Sequence, residues 1–266
     1  MSVRLPINLV LVRHGESEGN IANRRSRLSD HSAFTTEFRK RHGSTWRLSD
    51  RGIEQAKAAG DWLKANHLNR FDRYSVSTHL RALETAAYLD LPDAKWYSEY
   101  YLREREWGEL ESMPDHERQE RFADVLAKRR ADSFYWQPPG GESLAQASLR
   151  VDRNIETLCR ENSEGSVVNV CHGEVITLFR VRIERIPPHE FKDATKAPGE
   201  KINNCQILHY SRQDECGQIF PFMVRRRSIC PWDMTRSTNE WQPIVRRNYS
   251  NMDLMSIAES VQRMVN

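Results

Sequence analysis

The chain has 266 residues with a formal charge of +3, 38% hydrophobic and 29% charged residues. That length buries a substantial core, and the balance is that of a folded globular protein rather than a disordered one. The small net charge gives no concentrated basic face, so nucleic acid and membrane are not expected as partners. Five cysteines (Cys159, Cys171, Cys205, Cys216 and Cys230) are widely spaced with no CxxC pair, which excludes a disulfide framework and a structural zinc site. The N-terminal apolar run spans about six residues, too short for a secretory segment, and nothing approaches the ~18 apolar residues of a membrane span. A soluble, cytoplasmic protein is expected.

In chain order, short apolar runs alternate with amphipathic stretches, the pattern of an α/β sheet protein. Residues 7–12 (INLVLV) are too short and too continuously apolar for a surface helix and predict a buried strand. Ser49 is a candidate N-cap, with Ile53, Ala56, Gly60 and Leu63 on one helical face behind it. A strand follows at 74–77 and a helix at 80–89. The stripe Leu144, Ala147, Val151, Ile155, Leu158 predicts a long helix, residues 166–171 a third strand, and 175–186 a further helix closed by Pro187-Pro188. Weaker strands fit 206–210 and 219–224, and Leu254, Ile257, Val261 and Met264 suggest a final helix. Two polar insertions, 21–47 without clear period and 105–140 partly helical, follow strand ends and are expected to act as lids.

The chemistry concentrates at strand ends. Arg13-His14-Gly15-Glu16-Ser17 leaves the first buried strand, in the crevice where open α/β sheets bind ligands. Gly15 admits close approach of an anion, and the Arg13 fork suits phosphate. Three such residues recur by chance as a polar turn. A second strand ending in His172-Gly173 makes that explanation weaker. Ser77-Thr78-His79-Leu80-Arg81 is again strand end into helix start, where an arginine is unfavourable beside the positive dipole end unless an anion is bound.

The runs LVRHGESEGN, STHLRALETA, LREREWGELE, PPGGES and VCHGEV together resemble the histidine phosphatase superfamily, in its phosphoglycerate mutase-like branch. The motifs come in the family's order over roughly the first 210 residues. Glu16-Ser17 departs from the Arg-x-Pro that usually follows RHG in the acid-phosphatase branch. The resemblance implies a three-layer sandwich with a mostly parallel central sheet flanked by helices. It places a catalytic domain over 1–212 and leaves 213–266 as a C-terminal extension packed on the core. It implies His14 as nucleophile, with Arg13, Arg81 and His172 as a phosphate pocket to which Asn20 and Gly173 also belong. Glu104 matches the proton donor, with Glu106 and Glu109 close enough in sequence to compete.

A neutral imidazole attacking phosphorus in line gives a phosphohistidine, and the cationic side chains hold the equatorial oxygens, His172 acting best as a cation. Glu104 then protonates the leaving alkoxide. No metal and no cofactor are required, and no carboxylate–histidine cluster stands at metal-ligand spacing. The expected activity is a metal-independent phosphomonoesterase acting on a small phosphorylated metabolite. A cofactor-dependent mutase is the alternative, because Arg129-Arg130 and Pro138-Pro139 distantly resemble the basic and proline-rich stretch of such enzymes. The segment after RHGES has Gly19-Asn20 instead of their tryptophan–asparagine pair, and Phe134-Tyr135-Trp136 into PPGGES is closer to phosphatase-type members. A non-catalytic phospholigand-binding module is the remaining alternative, though every core position is present.

Arg24, Arg25, Arg27, Arg39, Lys40 and Arg41 could meet a polyanionic substrate, but a solvated lid explains them better. Arg225-Arg226-Arg227 and Arg246-Arg247 are candidates for a partner's phosphate. Trp232 and Trp241 are expected to pack the tail on the core or on a second subunit of a homodimer.

Overall fold

A computed structural model describes residues 4–264. One seven-stranded sheet runs through it: β1 (Asn8–Arg13), β2 (Arg73–Ser77), β3 (Trp96–Glu99), β4 (Ser166–Cys171), β5 (Ile207–Ser211), β6 (Arg225–Ile229) and β7 (Gln242–Pro243), in the order β3-β2-β4-β1-β5-β6-β7. The first four strands in the chain pair in parallel, and β5, β6 and β7 extend the sheet antiparallel from β1. The α/β class follows directly from the alternation of apolar runs and amphipathic helices.

Leu9, Val10, Leu11 and Val12 are all fully buried because helices cover both faces of β1. Strand alternation sends Leu9 and Leu11 into one core with Val151, Leu158, Ile176 and Phe179, from the helices Leu144–Glu161 and Gly173–Ile183. Val10 and Val12 go to the other, with Ala56, Leu63 and Ala82 from the helices Asp50–Ala65 and Leu80–Tyr88. Ser49 caps the first of these, accepting a hydrogen bond from Gly52 N at 3.1 Å.

Several expectations need correction. Residues 219–224 form no strand; Pro221 lacks the N–H a ladder needs, and the sheet continues instead through β6, whose side chains are mostly arginine. Strand pairing therefore crosses the boundary expected at residue 212. The edge strand β3 is too polar to announce itself by hydropathy. The helix expected from 175 begins at Gly173 and stops at Ile183, ahead of Pro187. The first insertion contains part of the helix Glu18–Ser26 and the short helix Thr36–Lys40; the second contains Asp115–Arg121 and Ala123–Ala131. The final helix, Asn251–Glu259, buries none of its residues, and Val261 and Met264 lie beyond its end. No helix among the described residues is long and apolar enough to cross a membrane.

Candidate active site

Parallel pairing sets β1 beside β4 with Arg13 opposite Cys171, and His14 N continues the ladder by donating to Cys171 O at 2.9 Å. The residues that follow, His14 and His172, therefore leave the same edge of the sheet from adjacent strands. Their ring centroids are 5.1 Å apart. Both are buried, as is Arg81.

The tautomer of His14 is set by its own loop. Nδ1 lies 2.7 Å from Gly15 O, and a carbonyl only accepts, so Nδ1 carries the hydrogen and Nε2 holds the lone pair. Arg81 Nε donates to that lone pair at 3.2 Å. Burial, reinforced by Arg81 and Arg13, keeps His14 neutral, with its pKa well below the usual imidazole value. The Nε2 lone pair is therefore unprotonated and engaged by the Arg81 guanidinium.

The loop is tightly supported. Thr85 Oγ1 accepts from Gly15 N at 3.0 Å and donates to Arg81 O at 2.6 Å, tying the nucleophile loop to the helix that carries Arg81. A Cβ on Gly15 would stand 2.3 Å from Gly52 O. Gly15→Ala should therefore cost about 3 kcal/mol, since backbone cannot give way as a side chain does, and urea unfolding will read it. An unchanged midpoint would show that the contact is slack.

His172 is held from the other side. The Ser77 hydroxyl, which accepts from His79 N at 3.4 Å, lies 2.7 Å from His172 Nε2. His172 Nδ1 is buried and without a hydrogen-bond partner. Its nearest carboxylate oxygen is Glu104 Oε2, at 3.9 Å. Burial, with Arg81 and His14 beside it, lowers the His172 pKa well below the usual imidazole value. A phosphate dianion would supply the countercharge that lets it take a proton.

Arg13 donates from Nη1 to Ile202 O at 2.8 Å, and its buried Nε has no hydrogen-bond partner. Arg81 Nη1 donates to Gly43 O at 2.6 Å, so the first insertion reaches into the site by its backbone. Asn20 lies one step further out. Its Oδ1 accepts from Ser17 N and from Asn204 Nδ2, and Asn204 Nδ2 also donates to His14 O at 3.1 Å. Gly173 opens its helix beside Arg13, where a Cβ would come 3.3 Å from Arg13 Nε.

Of the three candidate acids, Glu104 alone faces His172. Burial, then the charge of Glu174, push its pKa up to about 7, against the pull of Arg81 and Arg13. Glu106 instead lies near Arg103 and His42, and Glu109 is exposed.

Sequence reading assigned no role to Ser77, Thr85, Glu174 or Asn204. Ser77 and Thr85 fall inside a quoted motif, but their tasks depend on which strand stands beside them. A cluster that local spacing did not reveal also forms between the insertions. His42, Glu106 and Glu111 bring ligand-type atoms within 4.8 Å of one another. Ser44 N donates to His42 Nδ1 at 3.2 Å, so in the neutral ring Nε2 carries the hydrogen and faces the carboxylates as a donor.

The arginines of the first insertion are largely paired: Arg24 with Glu16, Arg25 with Asp30, Arg39 with Glu117 and Arg41 with Glu18. In the tail, Arg226 pairs with Glu184 and Glu200, and Arg247 with Glu190. Arg225 and Arg227 lie against Trp241, whose ring also packs on His209, and Trp232 Nε1 donates to Asn204 O at 2.6 Å. Both tryptophans thus tie the tail to the sheet or the site loop.

Two buried histidines, the buried Arg81, the half-buried Arg13 and one carboxyl of raised pKa thus gather at one edge of the sheet. Residues 9–219 match the model of the histidine phosphatase superfamily (branch 1), and the chain belongs to that family. It is 29% identical over 204 residues to a 2,3-bisphosphoglycerate-dependent phosphoglycerate mutase of Methylocella silvestris, covering 73% of this chain and 89% of that protein. It is 33% identical over 150 residues to the Methylobacterium radiotolerans protein of the same description, covering 54% of this chain and 62% of the relative. Among solved structures the fold resembles the alpha-ribazole phosphatase of Shigella flexneri, with a TM-score of 0.62 at 20% identity over 81% of this chain and 95% of that one. It also resembles a mycobacterial glucosyl-3-phosphoglycerate phosphatase, with a TM-score of 0.59 at 21% identity over 77% and 92% of the two chains.

Proposed function

We propose that this protein is a metal-independent phosphomonoesterase that acts on a small phosphorylated metabolite through a phosphohistidine at His14. The observation that carries this reading is the fixed tautomer of His14, with Nε2 unprotonated and aimed at Arg81 Nε at 3.2 Å, while Nδ1–H is spent on Gly15 O. Nε2 forms the bond to phosphorus as the ester P–O bond breaks. Arg13, Arg81 and His172 Nδ1 hold the equatorial oxygens, with electrostatic stabilisation supplied by side chains. Glu104 gives its proton to the leaving alkoxide. It then takes a proton from the water that attacks the phosphohistidine, so inorganic phosphate leaves and the acid is restored.

The cationic side chains supply the charge that a metal would otherwise bring. Activity against a phosphate ester is accordingly expected to survive exhaustive chelation; loss on chelation with recovery on adding a divalent ion would overturn that part of the proposal.

A second reading is phosphotransfer back to substrate, favoured by the mutases among the relatives. Hydrolysis is supported by Gly19-Asn20 after RHGES and by the run Phe134-Tyr135-Trp136 into PPGGES. A panel of phosphorylated metabolites assayed for free phosphate, run beside a 2- and 3-phosphoglycerate interconversion assay, separates the two. Interconversion without phosphate release would replace the hydrolase by the mutase.

A further inference from the structure

The steps above give no task to the residue that follows His172-Gly173. Glu174 lies in the first turn of the helix Gly173–Ile183, and Arg105 is the chain neighbour of Glu104. The two meet, with Arg105 Nε 2.9 Å from Glu174 Oε2. The Arg105 backbone N–H meanwhile donates to Glu104 Oε1 at 3.1 Å. One residue thus touches both carboxyl groups, Glu104 through its main chain and Glu174 through its side chain.

Arg105 is not free to swing away. Its side chain is 1% exposed, and its guanidinium carbon sits 4.3 Å from the Trp107 ring centroid and 5.6 Å from that of Trp136. Glu174 Oε2 is buried and accepts no directed hydrogen bond, so its contact with Arg105 is ionic. Glu104 faces Arg13 from the end of β1, Arg81 from the helix Leu80–Tyr88, Cys171 and His172 from the end of β4, and Glu174. Glu174 in turn faces Arg13 and Arg129.

Two neighbouring carboxyl groups in a partly buried site do not both ionise cheaply. Arg105 places a fixed countercharge against Glu174 and none from its side chain against Glu104. Arg13 and Arg81 alone would draw Glu104 towards ionisation and remove the acid.

We propose that Glu174 is a positioning residue for proton transfer: anchored by Arg105, it holds a negative charge beside Glu104 and keeps Glu104 a proton donor at neutral pH. This rests on the reading of Glu104 as the acid. Glu174→Gln preserves shape and removes the charge; Glu174→Asp keeps the charge. The measurement is the pH dependence of kcat/KM for an alkyl phosphate and for an activated aryl phosphate, with urea unfolding as a check on folding.

In Glu174→Gln the alkaline limb for the alkyl ester should move down by about one pH unit. Aryl phosphate turnover, which needs no proton, should hold within about twofold. Glu174→Asp should return the limb towards the wild-type position. An alkaline limb that stays in place in Glu174→Gln overturns the proposal, as does equal slowing of both esters, which would mark a purely structural tether. The acid assignment itself is tested separately: a Glu104→Gln profile identical to wild type would remove it whatever Glu174 does.

Discussion

His14→Ala is expected to lower turnover by on the order of 10⁴-fold or more, the scale seen when a covalent nucleophile is deleted. His14 Nε2 is the nitrogen that its own loop keeps unprotonated, while the neighbouring His172 has Nε2 against the Ser77 hydroxyl at 2.7 Å. The variant should also fail to trap acid-labile phosphate after rapid quench, while the wild type traps it. The ring is buried, so unfolding of the variant has to be measured alongside. A folded His14→Ala that still hydrolyses substrate at the wild-type rate would remove the mechanism outright.

Glu104→Gln is expected to slow alkyl phosphates by roughly 10²- to 10⁴-fold and activated aryl phosphates far less, because only a poor leaving group needs the proton. The same residue sets a pH signature. Glu104 has its pKa raised to about 7 by burial and by Glu174, so its protonated form dominates below that value. Turnover of an alkyl ester should then fall as pH rises through about 7, and the glutamine variant should lack this limb. An unshifted glutamate would place the limb lower, near pH ~4.3. Equal slowing of both ester classes would take the acid role away from Glu104.

Much of this architecture can be read without coordinates because its elements are strongly marked. INLVLV and SVVNVC are apolar except at Asn8, Ser166 and Asn169, and they lead into Arg-His-Gly and His-Gly. The helix Leu144–Glu161 repeats its stripe over 18 residues, long enough for periodicity to outweigh its charges. The elements that escaped lack such a signal. β3 is an edge strand of four residues, WYSE, and β6 reads RRRSI because carboxylates and an indole satisfy its arginines from outside the strand. Apolar residues at 219–224 looked more like a strand than the residues that form one.

The order of motifs along the chain, the two strand-end histidines and the arginine at the first turn of a helix were determined by sequence alone. Each follows from local rules of burial, backbone freedom and helix ends, which act over a few residues. Tertiary structure decided the surroundings of the two histidines and of the neighbouring glutamates. The proton position on His14 depends on Gly15 O, and His172 Nε2 meets the Ser77 hydroxyl from 95 residues away. Glu104 was separated from Glu106 and Glu109 by what packs against each: a buried histidine and a second carboxylate in one case, lid side chains or solvent in the others. Desolvation and Coulomb interactions depend on distance through space, which spacing along a chain does not record.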